Sequence, residues 1–340
     1  MTSRLTIKDI ARISGVGIST VSRVVNNRPD VSPETRQLVL DVVSTNGYTP
    51  NSNAKHLKQR NSDYIGVIVR GSRNMFLAGL LEQLQHCIEK TDYHFLPWYI
   101  DERGDEILAA QNLYNERKVQ GIVFLGGSAQ GRERELDSFP VPCVFATADA
   151  SDIASKNVMS VSVDDMHAAK SAIDYLFDCG HTRIAVVGGA LEAANSIGLR
   201  YRGVLESYLE HGKVFDPTMY LTSSFSFSTA YQAVSKALAN GLDCTAVFAM
   251  SDVMAVGASK AITDAGLAIP DDISVIGYDG IELAAYLTPT LATVRQPIDR
   301  IAKECVRLIT SAIEAYKDVP VRHIALPCEL IMGQSVRALH

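Results

Sequence analysis

From residue 64 onward, short apolar runs alternate with stretches whose apolar residues recur three and four positions apart. Tyr64-Ile65-Gly66-Val67-Ile68-Val69 is the first run, and Leu80, Leu81, Leu84 and Ile88 form the first helical stripe. A run that is apolar on both faces fits a strand buried between helices, so this rhythm predicts parallel sheets flanked by helices. Further strands are predicted over 93–99, 121–125, 141–146, 158–163, 183–187, 246–250, 273–276 and 324–331. No period of about 20–50 residues repeats. The alternation is too long for one such sheet, so two doubly wound lobes are expected.

The first 60 residues follow a different pattern. Thr6 reads as an N-cap before Ile7, Ile10 and Ala11, and Ser14-Gly15 as the stop. After a turn at Val16-Gly17, a second helix over 18–27 places Val21, Val24 and Val25 on one face and Ser19, Ser22 and Arg23 on the other. Ser32 and Pro33 open a third helix, with Glu34 in its first turn, running through Leu38, Val39, Val42 and Val43 to Asn46-Gly47. Two short helices joined by a glycine-bearing turn form a helix-turn-helix pattern. Small polar residues let such a helix sink into the major groove, where Arg23 can give two hydrogen bonds to a guanine. Ile18, Ser19 and Arg23 are therefore expected at base edges. Residues 51–58 follow as a short polar segment capped by Asn51, with Leu57 alone between Lys55 and Lys58. An isolated apolar residue flanked by lysines suits a minor-groove wedge.

Charge sharpens this division. The chain has 340 residues and a net charge of -6, yet residues 1–60 carry +5 and the remainder -11. A small basic head on an acidic body points to polyanion binding, although a solvated basic surface would give the same count. Hydrophobic residues make up 47%, enough for a sizeable core. No apolar run spans a membrane and no secretory signal opens the chain, so a cytoplasmic protein is expected. Six scattered cysteines without a C-x-x-C pair fit reduced thiols and no zinc site.

Thr6-Ile7-Lys8-Asp9-Ile10-Ala11, Val16 followed by Thr20-Val21-Ser22-Arg23-Val24-Val25-Asn26, Gly47-Tyr48-x-Pro50-Asn51 and Ala54-x-x-Leu57 together resemble the head of the lactose/galactose repressor (LacI/GalR) family. The match covers about 55 residues and is highly specific. Gly17 departs from it, standing where the family usually has a capping Ser. The resemblance implies a head over 1–60, a hinge helix over 51–58, and a periplasmic-binding-protein-like effector and dimerisation core over 61–340. Its DNA contacts would be Thr6, Ile18, Ser19, Thr20, Ser22, Arg23, Asn26, Asn51, Ala54, Lys55 and Leu57. Lobe 1 would span about 62–157 and 290–320, and lobe 2 about 158–289 and 321–340. Crossings are placed near 155–157, at Thr288-Pro289-Thr290 and at Val319-Pro320, with helix 298–317 in lobe 1 and the last strand, 324–331, in lobe 2.

Ligands of open α/β sheets bind beyond the C-terminal ends of the strands. The loops expected there hold Arg70, Arg73, Asn74, Phe76, Ser128, Thr147, Asn195, Arg200, Phe225, Ser251, Asp252, Tyr278 and Asp279. This polar set with a few rings suits a small hydroxylated molecule. The resemblance singles out Arg200, in Arg200-x-x-Gly203, and Asp279, in Gly277-Tyr278-Asp279. Phe225 is placed under the ligand, and Phe76, Thr147 and Ser251 complete the expected set; Phe76 and Phe225 equally fit a core. Ser251, Gly280 and Gly333 replace residues frequent in the family: an Asn, a second Asp and an Arg. Arg70 and Arg73 leave an anionic effector open.

No G-x-S-x-G elbow, P-loop or H-E-x-x-H is present, and the eight histidines show no ligand spacing. His181, after Cys179-Gly180, reads as a helix-end cap rather than a base. The expected protein is a homodimeric, sugar-responsive repressor of carbohydrate genes with operator DNA as partner and neither cofactor nor metal. The alternative is a sugar-binding or sugar-converting α/β protein, which a gel shift would separate from it.

Overall fold

In the computed structural model, the chain divides into two compact units, Met1–Arg60 and Asn61–His340. The structure describes residues 6–25, 31–46, 62–71, 74–101, 104–191, 196–315 and 322–339.

The first unit contains α1 (Ile7–Ser14), α2 (Ile18–Val25) and α3 (Pro33–Thr45). Thr6 and Asp9 form a reciprocal capping box at the start of α1, and Gly15, left-handed at φ 70°, ends it. Ser32 caps α3 by accepting the Thr35 N–H, with Pro33 at the first helical position. Ile10, Ala11, Val21, Val24 and Val39 make the small core. Of the apolar residues along α3, Leu38 is exposed, Val39 is buried and Val42 and Val43 are half-buried.

The second unit carries two six-stranded sheets. The first is built from β1 (Tyr64–Arg70), β2 (His94–Ile100), β3 (Gly121–Leu125), β4 (Cys143–Ala146), β5 (Val158–Val163) and β11 (His323–Leu326). Their order is β11-β5-β4-β3-β1-β2, and every pairing is parallel. Three helices join its strands: α4 (Met75–Ile88), α5 (Glu106–Arg117) and the short α6 (Glu133–Asp137). The second sheet contains β6 (Ile184–Gly188), β7 (Tyr220–Thr222), β8 (Ala246–Ala249), β9 (Ser274–Asp279), β10 (Ala292–Arg295) and β12 (Glu329–Ile331). Their order is β12-β10-β9-β8-β6-β7, with β12 antiparallel to β10. Its helices are α7 (Asp165–Asp178), α8 (Ser196–Glu210), α9 (Phe227–Ala239), α10 (Asp252–Asp264) and the short α11 (Glu282–Tyr286). Strands β3, β4, β5, β6, β8 and β9 are buried along their whole length, as the unbroken apolar runs require.

All three crossings between lobes differ from the sequence expectation in the same way. The strand over 158–163 belongs to the first sheet, so the chain crosses at Asp164, not at 155–157. Strand β10 belongs to the second sheet, so the chain returns at Gln296-Pro297 rather than at Thr288-Pro289-Thr290. The expected last strand is split: β11 lies in the first sheet and β12 in the second, joined by Pro327-Cys328. Val319-Pro320 lies outside the described residues. The elements flanking it, α12 (Ile298–Glu314) and β11, both pack in the first lobe. Each crossing thus comes one strand later than its turn signal. A parallel strand delivers the chain to its C-terminal end, where the lobes meet, while turn residues at the other end only return it to the same sheet. The antiparallel β12 follows directly, because it enters its sheet from the cleft side.

The C-terminal segment is fastened to the second lobe. Buried His181 bonds the Thr245 hydroxyl at 3.0 Å and the Arg337 carbonyl at 3.0 Å, and the Leu339 N–H donates to the Cys179 carbonyl at 2.7 Å. A side chain at Gly333 would meet the Ala292 nitrogen at 2.3 Å, so an arginine there has no room on this backbone. The six cysteines form no disulfide. Among the described residues, no helix is long and apolar enough to cross a membrane.

Candidate functional site

The head presents one face of α2. Val21 and Val24 point into the core, while Ile18, Ser19 and Arg23 are exposed and Thr20 and Ser22 half-buried. Gly17 supplies no capping side chain, but its carbonyl accepts the Thr20 N–H at 2.9 Å and the Val21 N–H at 3.0 Å. Thr6 is exposed, and its hydroxyl donates to Asp9 at 2.7 Å within the capping box. Those hydrogen bonds, followed by the nearby Arg12, hold the Asp9 carboxyl below its ordinary range. Asn26, Asn51, Ala54, Lys55 and Leu57 lie outside the described residues, as does the whole expected hinge.

The second lobe builds a polar cluster from the ends of its strands. Helices α7 and α8 pack backbone to backbone at Gly203, where a Cβ would stand 2.1 Å from the Met166 carbonyl oxygen. That approach brings Asp165, the first residue of α7, against Arg200 on α8. Arg200 donates from Nε to Asp165 Oδ1 at 2.7 Å and from Nη1 to the Met250 carbonyl at 2.6 Å. Its guanidinium lies over the Tyr278 ring, 3.6 Å from the centroid. The Tyr278 hydroxyl donates to the same Asp165 oxygen at 2.9 Å. Asp279 sits 3.9 Å from Arg200 Nη1 and accepts from Gln296 Nε2 at 2.8 Å. The Gln296 N–H also donates to the Asp279 carbonyl at 3.0 Å, which ties the end of β9 to the crossing. Behind them, Asp252 accepts from the Thr293 hydroxyl at 2.6 Å and the Ile281 N–H at 2.8 Å.

Three carboxylates and one guanidinium share this buried cluster. Burial pushes Asp279 up to about 8, with Arg200 pulling it back and Asp252 adding to the rise. Burial likewise carries Asp252 up to about 7, against the hydrogen bonds from Thr293 and Ile281. It also raises Asp165 despite the ion pair. Arg200 keeps its charge: burial opposes it, but Asp165, Tyr278 and Asp279 together hold its proton more tightly than usual.

The sign of the resulting pH effect follows directly. A folded carboxyl raised above its ordinary value binds its proton more tightly than the unfolded chain does. The stabilisation is complete below the ordinary carboxylate range and is lost as pH rises through about 7 for Asp252 and about 8 for Asp279. Asp279→Asn keeps an acceptor for Gln296 but carries no charge. Its melting temperature should therefore exceed that of the wild type by a margin that grows from pH 5.5 to 8 and then levels, reaching about 2–6 °C. Paired thermal melts across that range check it, and a pH-independent difference would mean that Asp279 is ionised throughout.

The remaining expected effector residues fall in several places. Ser251 is fully buried and caps α10 by accepting the Met254 N–H at 3.1 Å; its neighbour Met250 supplies the carbonyl that holds Arg200. Phe225 is half-buried against the second-lobe core. Phe76 is 3% exposed within the first-lobe core, one of the two positions open to it in the sequence. Thr147 follows β4 in the left-handed region at φ 72°, its N–H donating to the Val161 carbonyl at 2.7 Å. Arg70 pairs with buried Glu106 at 2.7 Å, and Glu106 accepts the Ser128 N–H at 2.8 Å. Arg73 and Asn195 lie outside the described residues. The structure thus joins Arg200 to Asp279 and adds Asp165 and Gln296, which the sequence reading missed. Asp165 carries no motif, being one acidic residue in the first turn of a helix. Gln296 lay in a crossing placed elsewhere.

A three-helix head with an exposed recognition face, joined to a two-lobed core with a charged cleft cluster, defines a DNA-binding regulator built on a binding-protein fold. Residues 6–51 match the family model described as bacterial regulatory proteins, lacI family, and residues 173–336 match that of a periplasmic binding protein-like domain. The HTH-type transcriptional regulator MalR of Clostridium butyricum is 35% identical over 337 residues, covering 97% of this chain and 99% of the relative. Among solved structures, a transcriptional regulator CelR–cellobiose complex is 27% identical with a TM-score of 0.72, covering 98% of this chain and all of that one. The lac repressor dimer bound to operator and the anti-inducer ONPF is 25% identical with a TM-score of 0.78, covering 99% of this chain and all of that one. The chain therefore belongs to the lacI family of bacterial transcriptional regulators, whose members named here are regulators and not enzymes.

Proposed function

We propose that the chain is a cytoplasmic homodimeric repressor of carbohydrate-metabolism genes, governed by a sugar or sugar derivative bound between its lobes. The Arg200–Asp165–Tyr278–Asp279 cluster carries this reading. It is dry, preorganised and set at the strand ends, where a small hydroxylated ligand is held by a guanidinium fork and carboxylate acceptors. The cluster is also tied through Gln296 to the crossing back to the first lobe. A ligand that changes the contacts of Asp279 therefore acts on the angle between lobes, which is the means by which it would shift the dimer and its heads.

On the head, Ile18, Ser19, Thr20, Ser22, Arg23 and Asn26 would read base edges or phosphate, with Thr6 at the start of α1. Asn51, Ala54, Lys55 and Leu57 would form the hinge contacts in the minor groove. Two heads imply inverted half-sites. Selection of binding sites from random duplex DNA with the full chain should enrich a pseudo-palindrome, and light scattering should give twice the chain mass. Enrichment of single half-sites, or of none, would overturn the dimeric repressor.

A further inference from the structure

Among the described residues, the charges at the strand ends decide what the cleft can accept. Arg70, Arg132, Arg200 and Arg295 all stand there, and each lies against a carboxylate. The partners are Glu106 at 2.7 Å, Asp105 at 3.1 Å, Asp165 at 2.7 Å and Glu329 at 3.9 Å. Asp252 and Asp279 remain, both nearly fully buried, with no cation of their own. Arg200 is 3.9 Å from Asp279 but already bonded to Asp165 and to the Met250 carbonyl. The cluster is thus short of positive charge.

A second observation points the same way. Gln296 is 3% exposed, and its amide nitrogen bonds Asp279 while its Oε1 accepts no hydrogen bond. A buried acceptor without a donor is costly, so this corner of the cluster lacks donors. Hydroxyl and ammonium groups supply donors; a phosphate or carboxylate supplies acceptors and a further negative charge.

Resting on the reading of this cluster as the effector site, we propose that it selects an effector that brings hydrogen-bond donors and no negative charge. That means a neutral or amine-bearing polyhydroxylated molecule, with sugar phosphates and sugar acids rejected. Arg70 and Arg73 had left an anionic ligand open; Arg70 is paired with Glu106, which removes its attraction, and Arg73 lies outside the described residues. Once the pH passes about 7 and about 8 and Asp252 and Asp279 ionise, an anion beside them would instead meet like charge in a site that excludes water.

Calorimetry and thermal shift of the full chain with a matched panel test this. Glucose, ribose, cellobiose and glucosamine are compared with glucose 6-phosphate, ribose 5-phosphate, cellobionate and inorganic phosphate, and operator binding is followed in parallel. At about pH 9, where both carboxyls are ionised, saturable binding is expected only among the first four, with each anionic counterpart weaker by about 100-fold or more, the range expected for a like-charge juxtaposition. Asp279→Asn and, separately, Asp252→Asn should narrow that gap, with retained operator binding showing that the variant is folded. An anionic member that binds as tightly as its neutral parent would overturn the charge selectivity and leave the effector site standing. Silence from the whole panel, with operator binding unchanged throughout, would overturn the effector reading and this inference with it.

Discussion

Arg200→Ala should abolish effector control while operator binding persists, and should lower the stability of the core. The guanidinium makes two hydrogen bonds, at 2.7 and 2.6 Å, and covers the Tyr278 ring. Its loss strands Asp165 in a buried site, where the Tyr278 hydroxyl still donates to it. Removing one partner of a buried ion pair costs about 3–5 kcal/mol, because the other charge stays buried. Asp165 can relieve part of this by taking up a proton, toward which burial already pushes it. The deficit should therefore sit at the lower end at neutral pH and widen as pH rises. Arg200→Lys should not rescue, since an ammonium cannot serve Asp165 and the Met250 carbonyl as a planar fork while lying flat on a ring. Calorimetric melts and operator titrations by fluorescence anisotropy, with and without the ligand that shifts the wild type, decide the matter. Wild-type melting and wild-type ligand response would remove Arg200 from the site.

Arg23→Ala should weaken specific operator binding by about 1–3 kcal/mol and relax selectivity at one base pair per half-site. Arg23 is exposed on the face of α2 opposite the buried Val21 and Val24, so the head should fold as before. The comparison that matters is between the selected operator and scrambled DNA of equal length. Loss confined to the operator identifies a base contact. An equal loss on both would make Arg23 a phosphate contact, and the salt dependence of binding should then fall by about one counterion.

The head was legible in the sequence because its signals are local. Thr6 with Asp9, Ser32 with Pro33, and the spacing of Val21 and Val24 each act within one or two turns. Which of Leu38 and Val39 is buried was not legible, because a helix packed on one side buries only a narrow stripe, and Val39 occupies it. The central strands were equally plain; 121–125 and 158–163 match residue for residue, since burial on both faces leaves an unbroken apolar run. Strands β7 and β10 escaped notice, being short and at or near the sheet margin, one ending in Thr222 and the other in Arg295. Sheet membership failed at the crossings, where the stretches forming β5, β10 and β11 were placed in the wrong lobe, because strands of both lobes share one pattern. In the cleft, Arg200 and Asp279 stood out by their motifs. Asp165 lies 35 residues from Arg200, and only the approach of α7 to α8 at Gly203 makes it a partner.

The interleaving of the two sheets has a consequence for how the protein is made. Each sheet takes its last strand from beyond residue 320: β11 completes the first at residues 323–326 and β12 the second at 329–331. Helix α12, which covers the first sheet through Ile301, Cys305 and Ile309, also follows strands β6 to β10 of the second lobe in sequence. A chain leaving the ribosome in the usual order of domain-by-domain folding would find neither lobe closable until both were almost fully synthesised. The two lobes have separate sheets, yet as products of translation they are a single body. Trp98, the only tryptophan in the chain, sits on β2 of the first lobe, and its fluorescence should therefore report the moment at which both lobes close.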